Sequence, residues 1–364
     1  MLIATRFLWS DGVLHRDLAV ETDGASISAL RPLAGAQPDL AVDYLMPALS
    51  DLQVNGGGGV MLNSDPTPDG LRAMAAAHQR LGTGAILPTV ITDYPEVTEA
   101  AAEAALATQG EPGLLGLHIE GPHIALSRKG THDPARIRPL DERTVALVER
   151  LRAAQLPVKI TLAPELADPT LLSRLVASGA VVSAGHSAAT AAEANAGFAA
   201  GIGCVTHLFN AMEPMLSRAP GLLAATINAP VYAGIICDGI HVDYEMIKLA
   251  LKARPRRGLT FAVSDAMATV GGPDHFELYG QIISVKDGAL VNANGNLAGA
   301  HIDMVTSLRN LVTKVGIDPA EAIAMCTDVP RAVLGLPRQK IAAGTALSDL
   351  VGFDAHWQRM PLAL

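Results

Sequence analysis

The chain has 364 residues, of which 49% are hydrophobic and 17% charged, with a formal net charge of −9. This length suits a barrel with a minor second domain, and the negative charge disfavours nucleic acid and anionic membranes as partners. No signal-peptide pattern, no apolar run of the ~18 residues that span a bilayer and only three widely spaced cysteines predict a cytoplasmic protein without a disulfide framework.

Short alternating segments separated by Asp-Gly turns occupy the first 44 residues, and the tail over 341–353 is again strand-like. Between them, apolar runs alternate with stretches of helical period. The predicted strands lie near 45–54, 85–91, 114–120, 157–163, 180–186, 202–207, 232–238 and 259–265. The predicted helices lie near 69–81, 96–108, 141–154, 168–178 and 190–200.

The predicted strands are apolar at nearly every position, which indicates a parallel sheet covered on both faces. Eight strands alternating with helices predict a closed (β/α)₈ TIM barrel over residues 47–337. The alternative is an open doubly wound sheet. It is disfavoured because chemically capable side chains end so many different strands, as they do at the mouth of a catalytic barrel. The segments 1–46 and 338–364 are expected to form a small β-domain beside the barrel.

Three of these strand ends carry side chains that metals prefer. Glu120 follows one apolar run, and His186 and His207 follow two others. A catalytic zinc takes about three protein ligands and keeps one position open. A lone histidine is more often a hydrogen-bonded core residue, but that interpretation would have to hold at two strand ends independently. His118 lies two positions before Glu120 on the same face, so we expect it to support the site rather than to bind metal.

The first barrel strand bears on the number of metals. Its end carries Gln53 and Asn55. Neutral amides are poor ligands for a second zinc but good hydrogen-bond partners for a neighbouring ligand. We therefore expect one divalent metal per subunit, most simply Zn²⁺, although a Glu/His/His set suits Fe²⁺ and Co²⁺ as well.

Asp265 ends the eighth predicted strand. A carboxylate beside a metal site can accept a proton from an attacking water and later give it to a leaving amine. The alternative is that Asp265 caps the helix that follows.

Two further motifs are weak. The run Gly56–Gly59 lacks the Lys-Ser/Thr that follows a phosphate loop, and we expect a flexible loop at the barrel mouth. The segment Gly185–Ala189 lacks the last glycine of a nucleophile elbow, which disfavours a serine hydrolase.

Taken together, the motifs resemble those of the N-acetylglucosamine-6-phosphate deacetylase family in the amidohydrolase superfamily. They run in order across roughly residues 47–335, and it is their combination that is specific. They are Leu117–Pro122, Lys129–Pro134, Ser183–Ser187, Thr206–Met212, Cys237–Asp243 and Ser264–Ala266.

The resemblance implies a TIM barrel with a small β-sandwich built from both termini, in a homodimer. It implies that Glu120, His186 and His207 bind the metal, and that Asp265 is the catalytic carboxylate. The Gln-x-Asn pattern on strand one matches the branch with a single metal. The implied substrate contacts are His132, Asn210, Ala211 through its backbone, Arg218 and His241.

The family activity is removal of acetate from N-acetyl-D-glucosamine 6-phosphate, giving D-glucosamine 6-phosphate in amino-sugar catabolism. The alternatives are the galactosamine epimer or a related amidohydrolase substrate, and a catalytically silent sugar-phosphate binding protein. Arg218 is expected at the phosphate, either in its own site or in that of the neighbouring subunit, unless it is a surface residue that pairs with Glu213. The strand-one segment Met46–Ser50 and the mouth segments Ser264–Ala268 and Ala298–Ile302 differ from the commonest family forms, and the short tail predicts a thin sandwich.

Overall fold

The computed structural model describes residues 1–35, 37–292, 295 and 297–362. The strands are β1 Leu2–Ser10, β2 Val13–Thr22, β3 Ile27–Pro32, β4 Leu40–Pro47, β5 Leu49–Val54, β6 Gly56–Gly57, β7 Val60–Met61, β8 Thr83–Ile91, β9 Leu117–Glu120, β10 Val158–Leu162, β11 Val181–Ala184, β12 Cys204–Val205, β13 Tyr232–Ile236, β14 Thr260–Val263, β15 His275–Leu278, β16 Gln281–Lys286, β17 Ala289–Val291, β18 Leu350–Phe353 and β19 Arg359–Met360. The helices are α1 Pro68–Arg80, α2 Pro95–Ala107, α3 Glu142–Ala153, α4 Pro169–Ala177, α5 Ala191–Ala199, α6 Gly221–Asn228, α7 Tyr244–Ala253, α8 Met304–Asn310, α9 Pro319–Cys326 and α10 Asp328–Val333.

Eight strands form the barrel, in the order β5, β8, β9, β10, β11, β12, β13, β14, and each paired neighbour runs parallel. The ring closes between β14 and β5, where the N–H of Asp265 donates to Gln53 O at 3.0 Å and the N–H of Asn55 donates to Ala266 O at 2.8 Å. Strands β5, β9, β10 and β14 are buried at every position, including the polar residues Ser50, Asp51 and Gln53 of β5. The predicted (β/α)₈ barrel is confirmed.

The two chain ends build one six-stranded sheet in the order β19, β18, β4, β1, β2, β3. Strand β1 pairs antiparallel with β2 and parallel with β4, and β4 pairs antiparallel with β18. A small β-domain made from both termini is therefore present. It consists of this one six-stranded sheet, where a thin sandwich was expected. The boundaries 1–46 and 338–364 remain a prediction.

The five predicted helices are present, each within one or two residues of its expected ends, because local signals set their starts. Thr67 caps α1 by accepting a hydrogen bond from the N–H of Gly70, and Pro68 occupies the first turn. Thr190 and Glu193 form a reciprocal capping box at the start of α5. No helix among the described residues is long and apolar enough to cross a membrane.

Two segments differ from expectation. The run Gly56–Gly59 is a packed segment rather than a flexible loop: β6 pairs with β7, and the N–H groups of Gly58 and Gly59 donate to Val270 O and Ala268 O at 2.8 Å. The three-stranded antiparallel sheet β15–β16–β17 was not predicted, although it covers one side of the barrel mouth.

Candidate functional site

Three side chains from neighbouring strand ends converge at the barrel mouth. Glu120 ends β9, and His186 and His207 each follow the end of a strand by two residues. His207 Nε2 lies 3.0 Å from both Glu120 Oε1 and His186 Nε2, and His186 Nε2 lies 3.2 Å from Glu120 Oε1. All three side chains are buried.

The hydrogen bonding of His186 shows which of its ring nitrogens faces the cluster. His186 Nδ1 lies 2.9 Å from the backbone carbonyl of Arg128, which can only accept, so Nδ1 carries the proton. The lone pair of Nε2 therefore faces both the Glu120 carboxylate and His207. Burial opposes the charge on Glu120, but the imidazoles of His186 and His207 beside it outweigh this effect and hold the pKa of Glu120 well below its usual range. One carboxylate and two imidazoles that point at one spot fit a divalent metal.

His132 is a further histidine that has a ring nitrogen close to the ligand atoms of Glu120 and His186. Candidate ligand atoms of Glu120, His132 and His186 lie within 4.8 Å of one another, and the rings of His132 and His186 are 4.4 Å apart. His132 Nδ1 lies 2.6 Å from Thr92 Oγ1, which fixes the ring. His132 and His207 are therefore both candidates for the third ligand, and His207 Nε2 lies 3.0 Å from Glu120 Oε1.

The two amides of β5 and its end support the carboxylates. Gln53 Nε2 donates to Glu120 Oε1 at 2.9 Å, to Glu120 Oε2 at 3.1 Å and to Asp265 Oδ1 at 3.1 Å. Asn55 Nδ2 donates to Asp265 Oδ1 at 2.7 Å. Both amides thus lie beside the cluster and contact the predicted catalytic carboxylate.

Asp265 lies two residues beyond the end of β14 and is not a helix cap. Within the described part of the chain, the next helix is α8, which is capped by Asp303. Burial raises the pKa of Asp265, and the negative charge of Glu120 raises it further. A carboxylate in such surroundings is suited to accepting and returning a proton.

The backbone at these strand ends turns sharply. His186, His207 and Asp265 have φ values of 48°, 27° and 53°, in a region that L-residues rarely adopt. This turn aims each side chain into the mouth immediately after its strand.

A cavity joins the cluster to the other predicted contacts. Its lining includes Asn55, Glu120, His132, His186, His207, Asn210, Ala211, His241 and Asp265. His241 Nδ1 is held 2.6 Å from Asp238 Oδ2. No lysine or arginine is among the described lining residues, and Arg218 is exposed elsewhere. Glu213 pairs with Arg128, not with Arg218.

A chain of buried hydrogen bonds lies beneath the cluster, and we call it the hydroxyl layer: Thr89, His118, Thr161, Ser183 and Thr206. His118 Nδ1 and Nε2 lie 3.1 Å from Thr89 Oγ1 and 2.7 Å from Thr161 Oγ1. Thr206 Oγ1 lies 2.7 Å from Thr161 Oγ1 and 2.6 Å from Ser183 Oγ. Burial lowers the pKa of His118 well below its usual range, so His118 is neutral; its role in supporting the site stays a prediction. Of the five residues in the hydroxyl layer, only His118 was predicted from the sequence to support the site. Hydroxyl side chains within otherwise apolar strands are the signal that could have revealed the other four.

Comparison with known proteins agrees with this geometry. Residues 44–357 match the model of the Amidohydrolase family. The chain belongs to the amidohydrolase family. The family match confirms the resemblance that the motifs indicated.

Individual relatives cover nearly the whole chain. N-acetylgalactosamine-6-phosphate deacetylase of Shewanella sp. (strain ANA-3) is 37% identical over 358 residues, which cover 95% of this chain and 90% of the relative. N-acetylglucosamine-6-phosphate deacetylase of Haemophilus influenzae is 35% identical over 88% of this chain and 86% of its own length. The crystal structure of N-acetylglucosamine-6-phosphate deacetylase from Pasteurella multocida is similar with a TM-score of 0.87 and 32% identity, covering 99% of this chain and 97% of that one.

Proposed function

We propose that this amidohydrolase hydrolyses N-acetyl-D-glucosamine 6-phosphate to D-glucosamine 6-phosphate and acetate, a step of amino-sugar catabolism. The observation that carries the proposal is the convergence of Glu120, His186 and His207 beside Asp265 in one cavity. The names of the relatives, which are N-acetylhexosamine-6-phosphate deacetylases, supply the substrate class.

Glu120, His186 and His207 are proposed to hold one divalent metal, with Zn²⁺ as the first choice and Fe²⁺ or Co²⁺ compatible with the same donors. A metal bound there would polarise the acetyl carbonyl and make a neighbouring water more acidic. Gln53 holds Glu120 in place with two hydrogen bonds, as partners of metal-ligating carboxylates do.

The proton transfers fall to this chain's own residues. Asp265 accepts a proton from the attacking water while the water oxygen bonds to the acetyl carbon. Asp265 then gives that proton to the amide nitrogen as the carbon–nitrogen bond breaks. His132, whose Nδ1 can accept the hydroxyl proton of Thr92, presents Nε2–H to the carbonyl oxygen on which negative charge develops.

The remaining contacts would bind the sugar and its phosphate. Asn210, the backbone of Ala211 and His241 line the cavity and are proposed to hold hydroxyls and phosphate. A dianion calls for a cation, and arginine can donate two parallel hydrogen bonds to phosphate. We propose a homodimer in which each subunit lends Arg218 to its partner's site; within one chain the alternative cation is Lys129, which lines an adjoining cavity that shares Gly130, Thr131 and His132 with this one.

Acetate release from the two epimeric phosphosugars tests the substrate. Faster turnover of N-acetylglucosamine 6-phosphate supports the proposal. The galactosamine epimer is the second candidate, because the relative from Shewanella acts on that sugar by its name. Binding of both sugars with no acetate release would instead indicate a silent binding protein.

Metal content tests the ligand set. Protein purified without chelator should contain close to one equivalent of divalent metal per chain. His207→Ala should lose most of it, since two remaining ligands make a weak site, whereas the matched variant His132→Ala should retain it. The reverse result would make His132 the ligand and His207 a substrate contact.

We also propose a cytoplasmic location. Cys204, Cys237 and Cys326 are all free and buried. Free thiols without a disulfide are typical of reducing compartments.

A further inference from the structure

One buried atom beside Asp265 has no partner. Asn55 is fully buried, and its Oδ1 accepts no hydrogen bond from the residues that the structure describes. A buried carbonyl oxygen without a donor is costly, so such an atom at a functional cavity calls for an explanation. Asn55 also lines that cavity.

The orientation of the Asn55 amide follows from its neighbour. Asp265 Oδ1 lies 2.7 Å from Asn55 Nδ2, and an ionised carboxylate can only accept. The NH₂ group must therefore face Asp265. The Oδ1 atom of the same carboxamide is left facing away from Asp265, where only an N–H or O–H donor can satisfy it.

We propose that Asn55 Oδ1 accepts a hydrogen bond from the N–H of the scissile amide and so selects amides over esters. The inference rests on the proposed deacetylase function. The nitrogen that Asp265 protonates must lie next to Asp265, and Asn55 is hydrogen-bonded to that same carboxylate. A single carboxamide thus holds the proton carrier with its NH₂ group and the leaving nitrogen with its oxygen.

This contact has a chemical use. Once the tetrahedral adduct has formed, the nitrogen carries a lone pair. If its N–H points toward Asn55, this lone pair is directed toward the proton on Asp265. An ester offers no N–H, so it leaves Asn55 Oδ1 buried and unpaired, and a site built around a hydrogen bond rejects analogues that lack the donor.

Gln53 provides a matched control. Its amide donates to the same Asp265 oxygen at 3.1 Å, and its own Oε1 is also without a described partner, but Gln53 does not line the cavity. Removing Gln53 should disturb Asp265 and Glu120 without touching substrate.

The test measures acetate release from N-acetylglucosamine 6-phosphate and from its ester counterpart, 2-O-acetylglucose 6-phosphate. Asn55→Ala should lower kcat/KM for the amide roughly tenfold more than for the ester, the loss of about one hydrogen bond. Gln53→Ala should lower both rates by a similar factor. An unchanged amide-to-ester ratio in Asn55→Ala would overturn the inference. The proposed function fails separately, if the unmodified protein releases no acetate from the amide.

Equilibrium binding gives a readout independent of turnover. Glucosamine 6-phosphate presents N–H donors at carbon 2, where 2-deoxyglucose 6-phosphate has no donor. Titration calorimetry of metal-loaded Asn55→Ala should show weakened binding of the amine with binding of 2-deoxyglucose 6-phosphate reduced less. Equal weakening of both would mean that Asn55 shapes the cavity without recognising nitrogen.

Discussion

At the scale of single residues, Asp265 is placed between two amide donors and the Glu120 carboxylate. Asp265→Asn keeps the size of the side chain but removes its ability to accept a proton. We expect kcat to fall by roughly 10² to 10⁴-fold while metal content and substrate affinity change little. Steady-state kinetics and metal analysis of the purified variant measure these quantities.

Asp318→Ala provides the contrasting control, because Asp318 caps α9 beside the start of β14, the opposite end of that strand from Asp265, and accepts from the N–H of Ala320 at 3.0 Å. This variant should lose stability and keep turnover. Near-normal turnover in Asp265→Asn would refute its assignment as the proton carrier.

Asp51 is a buried carboxyl group whose ionisation should affect the pH dependence of folding. Burial raises its pKa to about 7, although hydrogen bonds from Ser264 and the N–H of Gln53 oppose the rise. In the unfolded chain the pKa is about 3.9. Between these values the folded protein keeps a proton that the unfolded chain has lost, so this group destabilises the fold as pH rises from about 4 to about 7.

The asparagine in Asp51→Asn cannot ionise, so this variant lacks the loss of stability with rising pH. The free energy of unfolding of the variant minus that of the unmodified protein should therefore increase as the pH rises from 5 to 8. Urea titration with saturating metal measures it. Asp69→Asn, at a highly exposed position, controls for the loss of one charge. A constant difference across that range would show that Asp51 is ionised in the folded protein at both pH values.

At the scale of elements, the hydroxyl layer links five consecutive barrel strands below their functional ends. Thr161 is central to it, since its hydroxyl contacts both His118 and Thr206. Thr161→Val should destabilise the fold by about 1–3 kcal/mol, because two buried polar groups lose a partner. Chemical denaturation measures the change.

Thr83 offers the matched comparison. It is equally buried on β8, yet its hydroxyl has no partner within the described residues. Thr83→Val should therefore be neutral or stabilising. Equal losses in the two variants would mean that the layer adds nothing beyond the packing of threonine.

The barrel could be predicted because most positions of its strands are buried and apolar, although β5 also carries Ser50, Asp51 and Gln53. The sheet β15–β17 was missed for the opposite reason: its strands are short, and β15 alternates between exposed and buried residues. Its turns at Tyr279–Gly280 and Asp287–Gly288 have positive φ at both positions, and Asp-Gly is a hairpin signal that could have revealed the second turn. The orphaned oxygen of Asn55 had no signal in the sequence, because satisfaction of a hydrogen bond depends on atoms distant along the chain.

At the scale of the whole molecule, the proposed exchange of Arg218 between subunits predicts shared sites. Arg218→Ala should raise KM for the 6-phosphate strongly and hardly affect unphosphorylated N-acetylglucosamine. Mixing Arg218→Ala chains with Asp265→Asn chains should restore roughly a quarter of normal activity, since half of randomly paired dimers then contain one intact site.

The mixture must be refolded or exchanged together and compared with each variant alone. No recovery in demonstrated mixed dimers would place Arg218 at the site of its own chain. Equal damage to phosphorylated and unphosphorylated sugars would show that Arg218 is structural and would reopen the phosphate assignment.

The left-handed backbone at His186, His207 and Asp265 also bears on how such a protein evolves. Each such residue costs of order 1–3 kcal/mol, so the catalytic mouth is maintained by the stability of the rest of the barrel. With the roles proposed above for these residues, substitutions that relax the three turns are expected to stabilise the fold and lower activity. Hydrolysis and stability would then place opposing demands on the same three backbone turns.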